Sequence, residues 1–298
     1  MKSTNVYQKC TKASILRQLP LPHMNDNMKH EKMKPEMMRG LLTIKSNTFL
    51  SPHYISVVLE GEDLKNFRDA DIGDNNKLLI PAKGSKTVII PEKKAYDSTR
   101  ADEKAAIMRT YTLRKLDLKK QEMTIEFVAH GDEGPASSWA ILAEIGDQLG
   151  VVMKKKDKKI FQPADWYFFT GDHTALPVIS VLLEAMQEDA CGEVMIEVYG
   201  PEDVIELNSP AGVNVIWLFN QTPGLNSSLP ERFRRVKIPS QGTRFLFAAA
   251  ESQAIIEIQG VLRENKELKR NEWKAYSYWK LGQSESQSSE ERRTVSQQ

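Results

Sequence analysis

Two kinds of apolar run divide the sequence near residue 160, and this division is the strongest constraint on the fold. Before it, the apolar runs are short: "YISVVLEG", "KLLIP", "KTVIIP", "AIMRTYTLR" and "MTIEFVAHG". Gly, Pro, Asp and Asn separate them, as is typical of turns between strands. After it, "WYFFTG", "GEVMIEVYG", "VNVIWLF" and "TRFLFAAA" are almost continuously apolar, which is typical of strands buried on both faces. The chain is therefore predicted to have two domains.

The first group of runs predicts a small closed or half-closed antiparallel β-barrel over residues 39–160, with one helix at "GPASSWAILAEIG". The second predicts an α/β domain with a mostly parallel sheet over residues 161–282. Its helices are "DHTALPVISVLLEAMQ", which Asp172 can cap, and "ESQAIIEIQGVLREN". The polar ends predict a flexible arm at residues 1–38 and a disordered tail at 283–298.

Composition excludes several classes of function. Only Cys10 and Cys191 are present, which excludes an iron–sulfur centre and a disulfide framework and argues against structural zinc. The formal net charge of +1 favours neither nucleic acid nor a membrane surface as partner. No apolar stretch approaches the roughly 20 residues that a membrane helix needs. We expect a soluble, cytoplasmic, monomeric protein.

The stretch "RTYTLR" places Arg109, Thr110, Tyr111, Thr112 and Arg114 on one extended segment. Any exposed strand can carry such residues. A ligand with a flat ring at one end and phosphate at the other would use all of them, and a flavin is such a ligand. Its ring can stack on Tyr111, its polar edge can meet Thr112, and its pyrophosphate can pair with Arg109. Because Thr112 faces away from Arg109 and Tyr111, either backbone groups must help to hold the ligand or the ligand must wrap the end of the strand.

Two further stretches lead from a strand into a helix. In "HGDEGPASSWA", Gly134, Ala136 and Ser137 allow close backbone approach, and the helix N-terminus can seat a pyrophosphate. On its own, such a stretch is more often a plain start of a helix after a loop. His130 could stack on a ring or be an ordinary strand-end histidine. "FFTGDHTALPVI", residues 168–179, lies where an open parallel sheet binds ligands, although it also reads as an ordinary turn with an Asp172 cap. No GxGxxG fingerprint is present.

Taken in order, "RTYTLR", "FVAHGDEGPASSWA", "TGDHTALPVI" and "AYSYWKLG" resemble the siderophore-interacting protein family, ferric-siderophore reductases of the ferredoxin–NADP reductase superfamily. The resemblance spans about residues 40–282 and implies FAD in the barrel domain and a ferredoxin reductase-like α/β domain. It implies these FAD-binding residues: Arg109, Thr110, Tyr111, Thr112, Arg114, His130, Gly134, Ala136, Ser137, Trp139 and Trp279. The nucleotide side would be lined by Thr170, Gly171, Asp172, Thr174 and Ala175.

The resemblance also implies an anionic ferric siderophore as substrate, held by Lys77, by Lys154 or Lys155 in "MKKKDKK", and by Lys280. On its own, such a lysine run is more typical of a solvated loop. Electrons would come from NADH, NADPH or a reduced ferredoxin, and no catalytic acid, base or metal ligand is implied. Two alternatives remain: a flavin reductase with another acceptor, and a non-catalytic carrier of ferric siderophore.

Overall fold

Seven antiparallel strands form the first sheet of the computed structural model, which describes residues 36–88, 106–131, 134–285 and 287. The strands are β1 (Met37–Ser51), β2 (Tyr54–Glu60), β3 (Asn75–Ile80), β4 (Ile107–Thr112), β5 (Lys115–Asp117), β6 (Glu122–Val128) and β7 (Gln148–Lys154), with helix α1 (Pro135–Leu142) between β6 and β7. Buried and partly buried residues alternate along the first half of β1, so one face of this strand covers the core.

The sheet is rolled into a half-closed barrel. Its strand order is β4-β3-β7-β1-β2-β6-β5, which puts β4 and β5 at opposite edges. Only Leu113 and Arg114 separate these two strands in the chain, so the edges must approach each other. The backbone N–H of Leu113 bonds to the Asp74 carbonyl beside β3, and that of Arg114 bonds to the Thr124 carbonyl in β6. The outer edge of β4 stays unpaired with any strand of the described chain.

Five parallel strands form the second sheet, in the order β10-β9-β8-β11-β12. They are β8 (Trp166–Asp172), β9 (Cys191–Val198), β10 (Gly212–Phe219), β11 (Arg244–Glu251) and β12 (Trp273–Trp279). Helix α2 (Leu176–Glu184) covers one face, and α3 (Leu229–Arg234) and α4 (Ser252–Glu264) cover the other. Tyr167 and Phe169 pack in the core under α2, whereas Trp166 and Phe168 pack under α3 and α4. The predicted barrel and parallel α/β domain are confirmed.

Some predicted segments differ in the structure. The arm predicted at residues 1–38 lies mostly outside the described residues, but Met38 is buried in the barrel core because β1 pairs with β7 from its first residue. The run "KTVIIP" is not a strand over Lys86–Val88, its described part, and Val88 instead packs beside Leu79. Residues 283–285, assigned to the tail, contact the barrel through Glu285.

Candidate functional site

A cavity of about 1190 Å³ lies between the barrel and the carboxyl ends of the parallel strands. Its walls are β4, the start of α1, the turns after β8, β9 and β11, and β12 with the chain that follows it. Typical small-molecule sites occupy about 300–1,000 Å³, so this cavity accommodates a long ligand such as a dinucleotide. It lies at the sheet edge where open α/β sheets bind ligands.

The β4 wall carries Arg109, Thr110, Tyr111 and Thr112, all of which line the cavity. Because β4 is an edge strand, the cavity reaches residues on both of its faces, and this is how Thr112 joins Arg109 and Tyr111. The Tyr111 ring packs 4.5 Å from the Phe127 ring, measured between centroids, and burial raises the pKa of its hydroxyl. Tyr111 is therefore held as a fixed, neutral aromatic surface beside an arginine.

The start of α1 forms the second wall. His130, Gly134, Ala136 and Ser137 line the cavity here. The Ser137 hydroxyl accepts a hydrogen bond from the His130 N–H at 2.9 Å and donates one to the Gly131 carbonyl at 2.7 Å, so it fixes the turn. A Cβ on Gly134 would lie 2.4 Å from the His130 ring, so a larger residue here would displace that ring. The N–H groups of Ala136 and Ser137 have no partner inside the helix, as in every first turn.

These two walls fit FAD. Tyr111 offers a ring face, Arg109 a cation, and α1 a helix start with its positive dipole end toward the cavity. The outer edge of β4 adds a backbone N–H donor at Thr110. This donor set matches a flat polar ring system joined to a pyrophosphate.

Arg114 lies outside the cavity, contrary to the cofactor role predicted for it. Its guanidinium forms two hydrogen bonds with Glu184 at the end of α2, of 2.9 and 2.6 Å, and its Nε lies 3.4 Å from Glu126. Tyr54 donates a hydrogen bond to Glu126. Because the chain leaves β4 at Thr112 and crosses the barrel seam, Arg114 joins the barrel to the α/β domain instead of facing a ligand.

Trp139 is also absent from the cavity wall. It lies in the middle of α1 and packs on Phe127, with ring centroids 5.7 Å apart, at the rim of the barrel core. Trp279, by contrast, lines the cavity at the end of β12, and its indole N–H donates to Asp172 at 2.7 Å.

Asp172 connects the carboxyl ends of three strands. Its side chain accepts from the N–H and hydroxyl of Thr174, at 2.9 and 2.6 Å, and so caps the short 3-10 turn that precedes α2. Its other oxygen accepts from the Glu251 N–H at 2.8 Å and from Trp279. Burial raises the pKa of this carboxyl, against the effect of these hydrogen bonds. Asp172 and Thr174 line the cavity.

The other residues predicted on the nucleotide side lie beneath this surface. Thr170 and Ala175 are fully buried and do not line the cavity. A Cβ on Gly171 would lie 2.3 Å from the Ala249 carbonyl oxygen, so this glycine allows β8 and β11 to approach closely. These three residues shape the turn and do not contact the cavity.

The structure separates the lysines of "MKKKDKK" into two groups. Lys154 ends β7 and Lys155 pairs with Asp69 at 3.5 Å, and neither lines the cavity. The lysines that line it are Lys77, Lys156, Lys158, Lys159, Lys274 and Lys280. Lys154 and Lys155, the lysines predicted for the substrate, thus lie outside the cavity wall, because the run turns toward the cavity only after β7 ends.

Lys274 holds this basic loop in place. Its ammonium donates to the carbonyls of Ile160, at 2.9 Å, and Lys159, at 3.2 Å. Burial and the nearby charges of Lys156 and Lys158 lower its pKa. Sequence reasoning missed Lys274, although a signal exists: Lys274, Tyr276, Tyr278 and Lys280 alternate along "WKAYSYWK" and line the cavity together.

His173 is a buried histidine in the cavity wall, 5% exposed, between the rings of Tyr54 and Tyr199. Neither ring nitrogen has a hydrogen-bond partner among the described residues. Burial lowers its pKa to about 4; the charge of Asp203 opposes this shift and that of His53 adds to it. The folded protein therefore holds His173 neutral at physiological pH.

Acid should consequently destabilise the fold through His173. The folded-state pKa lies below the unfolded value near 6.5, so stability present above that pH is lost as the pH falls toward 4. We expect His173 to account for a loss of about 1.5 kcal/mol in the free energy of unfolding between pH 6.5 and about pH 5. In urea unfolding, the free energy of unfolding of His173→Gln should fall by about 1.5 kcal/mol less than that of the parent over this pH range. The free energy of unfolding of His130→Gln, at an exposed histidine, should fall by as much as that of the parent.

A half-closed barrel followed by a parallel α/β domain defines a two-domain ferredoxin reductase-like fold. The described residues include no helix that is long and apolar enough to cross a membrane. Ferredoxin–NADP+ reductase from Neisseria gonorrhoeae has the same fold, with a TM-score of 0.54 over 80% of this chain and 97% of its own, at 12% identity.

The chain belongs to the siderophore-interacting protein family. Residues 43–155 match the siderophore-interacting FAD-binding domain, and residues 164–282 match the siderophore-interacting protein model. Ferric vibriobactin reductase ViuB of Vibrio cholerae is 31% identical over 257 residues, 86% of this chain and 94% of that protein. The siderophore-interacting protein SipS from Aeromonas hydrophila superimposes with a TM-score of 0.74 at 29% identity, over 88% of this chain and 99% of SipS.

Proposed function

We propose that this protein is an FAD-dependent ferric-siderophore reductase that reduces Fe(III) to Fe(II) in an imported siderophore and releases the iron in the cytoplasm. The observation that carries the proposal is that one cavity joins the β4 wall, which fits FAD, to six lysines, which fit an anionic iron chelate. The similarity to a ferric vibriobactin reductase supports it.

The residues that line the cavity would bind different parts of the ligands. Arg109 and the first turn of α1 would hold the pyrophosphate, and Tyr111 with Thr112 would hold the ring system. Bound FAD would supply a redox centre that takes up electrons in pairs and passes them on singly, as reduction of ferric iron requires. The lysines would hold the anionic chelate beside that centre by their local field. Ferrous iron binds oxygen chelators more weakly, so it would leave.

The electron donor is NADH, NADPH or a reduced ferredoxin. An internal carboxylate occupies two of the starts at the carboxyl edge of the parallel sheet: Asp172 caps the 3-10 turn that precedes α2, and Glu251 caps α4. Negative charge at these positions opposes the approach of a nucleotide phosphate. This arrangement favours a protein donor over direct seating of a nicotinamide nucleotide at these two helix ends.

An anaerobic visible spectrum of the purified protein tests the proposal. NADH, NADPH and reduced ferredoxin are added in turn, followed by a ferric catecholate siderophore. We expect yellow flavin bands that bleach with one donor and return with the ferric chelate as ferrous iron appears. If the bleached bands return only when quinone or free flavin is added, a reductase with another acceptor is favoured. Protein that binds the ferric siderophore but carries no flavin, even after addition of FAD, would be a carrier.

The basic loop gives a sharper test of the substrate. Replacing Lys156, Lys158 and Lys159 together by glutamine should raise the dissociation constant for an anionic ferric catecholate by roughly 10-fold, with a weaker salt dependence, because local positive charge attracts the chelate. Iron-dependent quenching of protein fluorescence at two salt concentrations measures this change.

The double variant Lys154→Gln and Lys155→Gln is the matched control, because it removes charge from the same run outside the cavity. Its affinity should equal that of the parent. Equal weakening in both variants would mean that the run acts only through bulk charge, and no weakening in the triple variant would remove the loop from the substrate site.

A further inference from the structure

The chain after β12 crosses the cavity from the α/β domain to the barrel. Residues 280–285, which we call the C-terminal strap, begin beside Trp279, whose indole is bonded to Asp172. The Leu281 N–H then donates to Glu251 at 3.2 Å. Most of the strap lines the cavity, and its far end reaches β3 and β4 of the barrel.

At that far end, the strap inserts a carboxylate into a set of three donors. One oxygen of Glu285 lies 2.8 Å from the Lys77 ammonium and also accepts from the Thr110 hydroxyl. The other oxygen accepts from the Thr110 backbone N–H at 2.8 Å. Burial alone would raise the pKa of the Glu285 carboxyl, but these hydrogen bonds from Lys77 and Thr110 hold it below its usual range.

This donor set is specific for an anionic oxygen. It combines a cation, a hydroxyl and a backbone N–H on the unpaired edge of β4, as in sites that bind phosphate or carboxylate. Thr110, which supplies two of the three donors, lies on the same strand as Arg109 and Tyr111, and Lys77 lies on the neighbouring strand β3. A ligand that lies along the β4 edge would therefore bring its own anionic oxygen to the position that Glu285 occupies.

We propose that Thr110 and Lys77 form an oxyanion subsite of the cavity and that Glu285 is its internal occupant, which an anionic ligand group displaces together with the strap. The inference rests on the proposed function, because the ligand group is either a phosphate of FAD or an acidic oxygen of the ferric chelate. Both have the chemistry that the subsite binds. Binding at the subsite then releases the strap, and release of the strap opens the cavity along β12.

Two variants test the displacement. Glu285→Gln removes the charge of the occupant, and Glu285→Ala removes the side chain. Glu264→Gln is the control, because it makes the same charge change at an exposed position at the end of α4. Affinity for FAD is measured on the flavin-stripped full chain, and affinity for a ferric tris-catecholate complex on the flavin-loaded full chain, both by fluorescence quenching.

The displaced ligand should bind roughly 5- to 30-fold more tightly to both Glu285 variants, because the strap no longer competes for the subsite. The control should bind it with parent affinity. Tightening for FAD identifies a cofactor phosphate, and tightening for the chelate identifies the substrate. Parent affinities for both ligands in both variants would overturn the proposal, whereas failure of every protein to bind FAD would overturn the proposed function instead.

Hydrogen exchange reports the motion directly. On addition of the ligand that displaces Glu285, amides of residues 280–285 should exchange faster, while the Thr110 amide should stay protected because the ligand accepts its hydrogen bond. Slower exchange of the strap in the parent chain would show that the ligand binds beneath a closed strap, and this result would also overturn the proposal.

Discussion

Replacing Arg114 by methionine is expected to lower the free energy of unfolding by about 3 kcal/mol. Arg114 is buried and pairs with Glu184 and Glu126, so its loss leaves the carboxylate of Glu126 buried without a cation. Burial already raises the pKa of Glu126, which shows how poorly this environment solvates its charge. Urea unfolding followed by tryptophan fluorescence measures the change.

Arg109→Met is the matched control for this experiment, because the same side chains are exchanged five residues earlier on the cavity wall. In flavin-stripped protein, its stability should remain within about 0.5 kcal/mol of the parent. If Arg114→Met unfolds at the parent midpoint and instead loses flavin, then Arg114 binds the cofactor and the interdomain ion pair contributes little.

The second large effect is expected at Arg109. Replacing it by glutamine should raise the dissociation constant for FAD by roughly 10- to 100-fold, because a charge-assisted contact to pyrophosphate is lost. The Arg109 guanidinium bonds to the carbonyl of its neighbour Met108 at 2.8 Å, and it forms no ion pair within the described chain, so the fold should be unaffected. FAD fluorescence on titration of flavin-stripped protein measures this affinity.

Arg232→Gln provides the control, since Arg232 is exposed on α3 away from the cavity. It should bind FAD as the parent does. Unchanged FAD affinity in Arg109→Gln would contradict the placement of the pyrophosphate at the β4 wall and would favour a position that depends on the α1 start alone.

The sequence predicts the two sheets well because their patterns differ in period and in length of apolar run. Buried parallel strands such as β11 are apolar at every position between their ends, here from Phe245 to Ala250. The barrel was predicted less completely. The pattern does not identify β1 and β7 as strands, since each carries a lysine and other polar residues next to its apolar positions, and their pairing with each other is a tertiary feature.

The site shows the same limit. Arg109 and Arg114 have the same chemistry and lie in one motif, yet the chain crosses the barrel seam between them, and spacing alone does not reveal that crossing. The lysine run shows the same limit. Lys155 pairs with Asp69 and Lys156 pairs with Asp74, and these two acids lie some 80 residues earlier in the sequence. Glu285 lay in a segment predicted to be disordered and could not have been assigned a partner.

The open edge of β4 has a consequence for the protein without its ligands. A sheet that ends in an unpaired strand can accept a strand from another molecule, and this is a common route to self-association. Here Glu285 takes the outward N–H of Thr110 and places a charge along that edge. The strap thus occupies a position that a strand from a second copy would need, and a chain truncated before residue 283 is expected to form oligomers through β4 until flavin is supplied.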